Sequence, residues 1–150
     1  MLKLSDIAEA AASDTVLPRL VRRRLVAIII GLGVLTLIHD VDHIRQGRSL
    51  PVELYAVAVL ALLSIGLTLW VLARRHRLAG VVAFLQGVAT IVGVGAVHVA
   101  PQWASVTDSY SAARADAFSW AIILAMMSAG AVLALAAASS ARLAMTLGPT

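Results

Sequence analysis

The chain has 150 residues, of which 61% are hydrophobic and only 13% are charged. A soluble domain of this size carries about 25% charged residues, so the composition excludes a water-soluble globular protein and predicts a lipid environment. The absence of cysteine excludes disulfides, thiolate metal sites and cysteine nucleophiles. Despite the net charge of +4, aromatic residues are too few to interleave with the basic ones, and we expect no nucleic-acid binding.

The amino-terminal segment, residues 1–20, is moderately polar. Leu2, Leu4 and Ile7 recur at helix-like spacing, which is typical of a short amphipathic helix on a membrane surface. An irregular terminus is the alternative, and the spacing does not decide between them. Pro18 separates this segment from the first apolar run of the chain.

The first apolar run, residues 25–38, comes after the arginines at positions 22–24. It is short, because a helix needs about 20 residues to cross the hydrocarbon core. We therefore expect the helix to start within the arginine cluster, whose long side chains can extend to the interface. It would end at His43, for a span of about residues 22–43.

Three further apolar runs predict spans at about residues 52–73, 78–100 and 117–138. Each is long enough to cross a bilayer. Pro51 suits the first turn of the second helix, and Pro101 ends the third. The predicted fold is an all-α integral membrane protein, a single domain of four transmembrane helices over residues 1–150.

The arginines predict the orientation of this bundle. If the four helices alternate in direction, eight arginines fall on one side and three on the other. The richer side holds Arg19, Arg22, Arg23, Arg24, Arg74, Arg75, Arg77 and Arg142, against Arg45, Arg48 and Arg114. Cytoplasmic loops are rich in Lys and Arg. The sequence therefore predicts a multi-pass protein of the cell membrane with both termini in the cytoplasm, and Tyr110 at the outer interface.

Polar side chains that can bind metals collect at the predicted outer end of the bundle. The end of the first helix reads His39-Asp40-Val41-Asp42-His43. At about 100° per residue, His39, Asp42 and His43 share one arc of the helix, with Asp40 at its edge.

Two histidines four residues apart on a helix can bind one metal ion. His98, at the outer end of the third helix, is the expected third ligand, followed by Asp116 and Glu53. Asp40 and Asp42 would be further ligands or would orient the imidazoles. Imidazole and carboxylate groups suit Zn, Cu, Ni or Fe, and the lack of thiols disfavours Cu(I).

Other interpretations of these residues remain open. One is that the acids and histidines at this helix end are solvated, or bond to Arg45 and Arg48 within the loop. Haem held by His98 with His39 or His43 is a less favoured cofactor, because two carboxylates beside a haem iron would be unusual. A membrane hydrolase that uses Asp40 or Asp42 as base is weaker, because four short helices enclose little space.

The fourth helix carries a second pattern, an alanine at every fourth position. These residues form one face of the helix, and small residues let helices pack closely in membranes. The face consists of Ala113, Ala117, Ala121, Ala125 and Ala129. It predicts a contact within the bundle, or with a partner subunit or second copy. With no ionisable residue in mid-span, the alternative function is an accessory subunit of a larger membrane complex.

Overall fold

The computed structural model describes residues 17–47, 52–101 and 107–146, with side chains in the last helix to residue 140. The expected surface helix at the amino terminus falls mostly on residues 1–16, outside this part. Helix α1 spans Arg19–Arg45, α2 Val52–Ala73, α3 Ala79–Val94 and α4 Ala117–Thr146. A π-helical turn, Gly95–Val99, continues α3. The described residues thus form an all-helical fold with four helices long and apolar enough to cross a membrane, as the sequence predicts.

One continuous buried face of α1 builds both the core and the site. Its buried residues are Leu25, Ile29, Leu32, Thr36, His39, Asp42 and His43. Apart from Asp42, they alternate four and three residues apart, the spacing that keeps one face of a helix against its neighbours. The helix ends at Arg45, and Gly47 follows two residues later with a φ of +64°, the left-handed conformation that commonly stops a helix. The two histidines therefore continue the apolar seam into its last turns.

Helices α3 and α4 cross at close range through two glycines. An added Cβ on Gly87 would lie 2.5 Å from the Gly130 carbonyl oxygen and 2.7 Å from the Ala134 nitrogen. Both are backbone atoms, so no side-chain rotation could relieve such a contact. Glycine at this crossing lets the two backbones approach closely, as small residues do between membrane helices.

The outside of the bundle is apolar. Large exposed side chains include Leu37, Leu60, Val92 and Leu135, one from each helix. Contiguous apolar surface on this scale is unusual for a soluble monomer and marks a surface that meets lipid or another apolar partner. The exterior therefore agrees with the composition in indicating a membrane protein.

Candidate metal centre

Three buried imidazoles meet at one end of the bundle. His39 and His43 come from the last turns of α1, and His98 comes from the π-helical turn after α3. One ring nitrogen from each lies within 4.8 Å of those of the other two, and each residue is at most 7% exposed. This group, the histidine cluster, could hold a metal ion.

The spacing within the histidine cluster is close to what a shared metal requires. The Nε2 atoms of His39 and His43 are 3.2 Å apart. Two zinc–imidazole bonds of about 2.0–2.1 Å that meet at the tetrahedral angle place their nitrogens about 3.3–3.4 Å apart. His39 and His43 therefore already have nearly the required separation, and the ring of His98 would have to approach them by at most about 1.5 Å. His98 lies close to both partners, with its ring centroid 4.7 Å from that of His39.

The π-helical turn and the segment after it fix His98. The carbonyls of Val97 and His98 stand at the end of the helix, where no intrahelical donor reaches them. The backbone N–H of Asp108 donates to Val97 over 2.8 Å, and that of Tyr110 donates to His98 over 2.9 Å. Residues 107–110 therefore fold back over the end of α3 and cover the cluster.

The segment that folds back also approaches the Nδ1 atom of every imidazole. The Tyr110 hydroxyl lies 3.3 Å from Nδ1 of His39, and an Asp108 carboxylate oxygen lies 3.5 Å from Nδ1 of His43. The backbone oxygen of Asp108 lies 3.2 Å from Nδ1 of His98. Metal-binding histidines are usually oriented in this way, with the second ring nitrogen bonded to a carboxylate, a carbonyl or water. On the other side of the rings, the Nε2 atoms of His39 and His43 face each other at hydrogen-bond distance, 3.2 Å.

A second polar group, which we name the α1–α4 clamp, lies beside the cluster and joins the two helices. It consists of Asp42, Arg45, Gln46, Asp116 and Ser119. Arg45 donates to Asp42 and to Asp116, each over 2.7 Å. Ser119 and Gln46 both donate to Asp42, each over 2.6 Å. Asp42 is only 1% exposed, and these donors balance its charge.

The structure thus separates the acids expected as metal ligands. The carboxylates of Asp42 and Asp116 are engaged in the α1–α4 clamp, with Arg45 as their cation. Asp40 is partly buried and lines a cleft together with His39 and His43. Glu53 is exposed in the first turn of α2. Of the expected ligands, the structure brings together the three histidines.

Two site residues, Asp108 and Tyr110, have roles that the sequence pattern does not predict. Tyr110 was expected at the membrane interface, but it is fully buried, with its ring centroid 4.7 Å from that of His98. The carboxylate of Asp108 faces His43 rather than a solvated loop. The one sequence feature that could have indicated these roles is their position a few residues after Pro101, where the third helix ends. The last carbonyls of a helix have no donor within the helix and accept hydrogen bonds from other segments.

Asp116 caps α4, which predicts a stability difference in acid. Its carboxylate accepts the backbone N–H of Ser119 over 3.0 Å. This bond, together with Arg45, lowers the pKa of Asp116 from 3.8 to about 2. A depressed carboxyl pKa stabilises the fold above pH 3.8, and this contribution is lost as the pH falls through 2.

We therefore expect Asp116→Asn to melt below the wild type at pH 6, and the two melting curves to converge towards pH 2. Thermal unfolding of the metal-free protein across this range tests the expectation. Glu53→Gln, a change at another exposed carboxylate, is the matched control. A constant difference between Asp116→Asn and wild type at every pH would contradict it.

Comparisons with known proteins return nothing similar to this chain: no protein-family model, curated protein or solved structure matches it.

Proposed function

We propose that this protein is a four-span protein of the cell membrane that binds a divalent transition metal through His39, His43 and His98. Both termini would lie in the cytoplasm, which places the histidine cluster at the outer face. The orientation rests on the arginine distribution. The metal site is supported by one observation: three buried imidazoles converge, and Asp108 and Tyr110 lie within 3.5 Å of their Nδ1 atoms.

The donor set narrows the choice of metal. Three neutral imidazoles with an open fourth position suit Zn, Cu, Ni or Fe in the divalent state. Haem fits less well, because the ring centroid of His98 lies only 4.7 Å from that of His39, edge to face, and 5.6 Å from that of His43. Such contact leaves no gap between those rings for the plane of a macrocycle.

Metal analysis of the purified protein tests the proposal. We expect about one equivalent of transition metal in the wild type and almost none in the double variant His39→Ala/His43→Ala. His76→Ala is the control, because His76 is exposed in the turn between α2 and α3, at the opposite end of the bundle. Equally negligible metal in the wild type and the double variant, after growth with added metal, would reject the proposal.

Asp108 should matter through the imidazoles rather than as a ligand. We expect Asp108→Asn to weaken metal binding about 10–100-fold, the range seen when groups that orient metal-bound histidines are changed. A chelator-competition titration measures the affinity. Glu53→Gln is the matched control, since it changes an exposed carboxylate outside the histidine cluster and the α1–α4 clamp and should leave the affinity within about threefold of wild type. Equal losses in the two variants would contradict this role for Asp108.

An accessory subunit remains the second candidate, favoured by one feature of α4. Ala117, Ala121 and Ala125 are exposed on the outside of the bundle rather than packed within it. A face of small residues on the outside of a membrane helix suits close contact with another chain. Purification in mild detergent, with mass measurement of wild type and Ala121→Leu, tests this. A wild-type monomer without a stoichiometric partner would count against it.

A further inference from the structure

A cleft opens directly from the histidine cluster into the bundle. It has a volume of about 290 Å³ and lies between α1, α2 and α3. All three histidines line one end, and Gln86 lines the other. His98 follows Gln86 by twelve positions, which corresponds to roughly 18 Å of helix, so the cleft is elongated along the bundle axis.

Most of the side chains that line the cleft are apolar. Leu54, Val57 and Val97 contribute side chains, while the small residues Ala61 and Ala89 leave the space open.

Hydroxyl groups also line the cleft, but they bond to their own helices. Thr36 donates to the Leu32 carbonyl over 2.9 Å, and Ser64 donates to that of Ala61 over 2.7 Å. Thr90 donates likewise to its own helix. The hydroxyls therefore need no polar partner from a molecule in the cleft. At the far end, the Oε1 atom of Gln86 lies 3.3 Å from the Thr68 hydroxyl. The metal-binding and ionisable side chains of the cleft, the three histidines and Asp40, therefore all lie at the other end.

A metal in the histidine cluster would have an open position for such a molecule. Tetrahedral sites with three protein ligands keep the fourth position for water or substrate. Asp108 and Tyr110 lie on the Nδ1 side of the imidazoles. The cleft is lined by the three histidines themselves. A ligand in the cleft would thus meet the metal with its end.

We propose that the cleft binds an elongated amphipathic molecule, with an oxygen-donor head group on the metal and an apolar body between α2 and α3. This inference rests on the proposed metal site. The volume of about 290 Å³ lies just below the usual range for ligand pockets, about 300–1,000 Å³, which suits a short chain or a single substituted ring. A polar head at one end and an apolar body beyond it match the distribution of polarity along the cleft.

The full-length protein in detergent, loaded with Co²⁺ as a visible probe, allows a direct test. Acetohydroxamate and hexanohydroxamate have the same metal-binding head and differ by four methylenes. Each buried methylene contributes up to about fourfold in affinity, from about 0.8 kcal/mol. We expect hexanohydroxamate to shift the Co²⁺ absorption at a concentration at least tenfold lower than acetohydroxamate does.

Two substitutions of alanine by phenylalanine distinguish binding of the hydroxamate chain in the cleft from its partition into detergent. Ala61→Phe fills the cleft and should reduce the preference for the longer chain to less than threefold, with Co²⁺ still bound. Ala56→Phe, at an exposed position on the same helix outside the cleft, should keep the full preference. Ala89→Phe on α3 fills the opposite wall and replaces Ala61→Phe if that variant does not fold.

The outcomes distinguish the two proposals. Failure of the wild type to take up Co²⁺ would overturn the metal site and this inference with it. Uptake of Co²⁺ with equal affinity for the two hydroxamates would overturn the cleft ligand alone. A chain-length preference that survives in the cleft-filling variants would show that detergent, not the cleft, holds the chain, and would also overturn it.

Discussion

His98→Ala is expected to lower the affinity of the purified protein for Zn²⁺ by at least about 100-fold, more than the loss of an orienting group costs. His98 is the member of the histidine cluster supplied by the π-helical turn after α3, while the other two lie four residues apart on α1. Without it, the α1 pair alone would hold the metal, with two bonds instead of three. The variant should still fold, because the seam of α1 and the crossing of α3 with α4 remain.

Thermal unfolding with and without Zn²⁺ measures the loss of affinity and also shows whether the variant folds. A ligand at 100 times its Kd stabilises a protein by about 2.7 kcal/mol, so added Zn²⁺ should raise the melting temperature of the wild type. It should leave that of His98→Ala nearly unchanged. His76→Ala should behave as the wild type does. An equal rise in His98→Ala and wild type would show that His98 is not a ligand.

The inward direction of the histidine pair can be predicted from the sequence. Positions 25, 29, 32, 36, 39 and 43 alternate four and three apart, and the first three are aliphatic. A side chain that continues such a seam must face the neighbouring helices. On a helical projection His39 and His43 lie on one arc, which likewise predicts that both side chains point in the same direction. The long apolar runs likewise predict the four helices, because no soluble surface could be built from them.

The roles of the acids could not be predicted in the same way. Asp42 lies on the buried arc of α1 with the histidines, but it meets Ser119 of α4 while they meet His98 of α3. Residue type and spacing give the face of one helix, not which neighbour packs against each part of that face. A carboxylate opposite arginine and one opposite a metal site therefore look alike in the sequence.

The segment around Asp108 and Tyr110 depends on long-range backbone bonding. Two backbone hydrogen bonds anchor it: one joins residues that are 11 positions apart, and the other joins residues that are 12 positions apart. Both bonds end on carbonyls of the π-helical turn. No periodicity marks such a segment, since each bond depends on where α3 ends. The partners of the imidazole Nδ1 atoms are consequently visible only in three dimensions.

Gly87→Ala is expected to destabilise the protein by about 1–3 kcal/mol, the usual effect of overpacking a tight interface. The added Cβ would meet two backbone atoms of α4 at 2.5 and 2.7 Å, so the helices must separate. Gly66→Ala is the matched control. Its Cβ would have no neighbour within 4 Å, and alanine within a helix is favoured over glycine by roughly 0.5–1 kcal/mol.

Thermal or chemical unfolding of both variants in the same detergent provides the measurement. Gly87→Ala should unfold well below the wild type, while Gly66→Ala should match or exceed it. If Gly87→Ala unfolded with the wild type, the close crossing of α3 and α4 would not exist in the folded protein.

The same substitution should also weaken metal binding, although it removes no ligand. Helix α4 is tied to α1 by the α1–α4 clamp, and α1 carries His39 and His43. The π-helical turn that continues α3 carries His98. Moving α3 away from α4 therefore moves one ligand relative to the other two, and a site built from both helices loses its geometry. Gly66→Ala, which leaves the crossing intact, should keep the wild-type affinity, so a lower affinity in Gly87→Ala alone would connect helix packing to the metal centre.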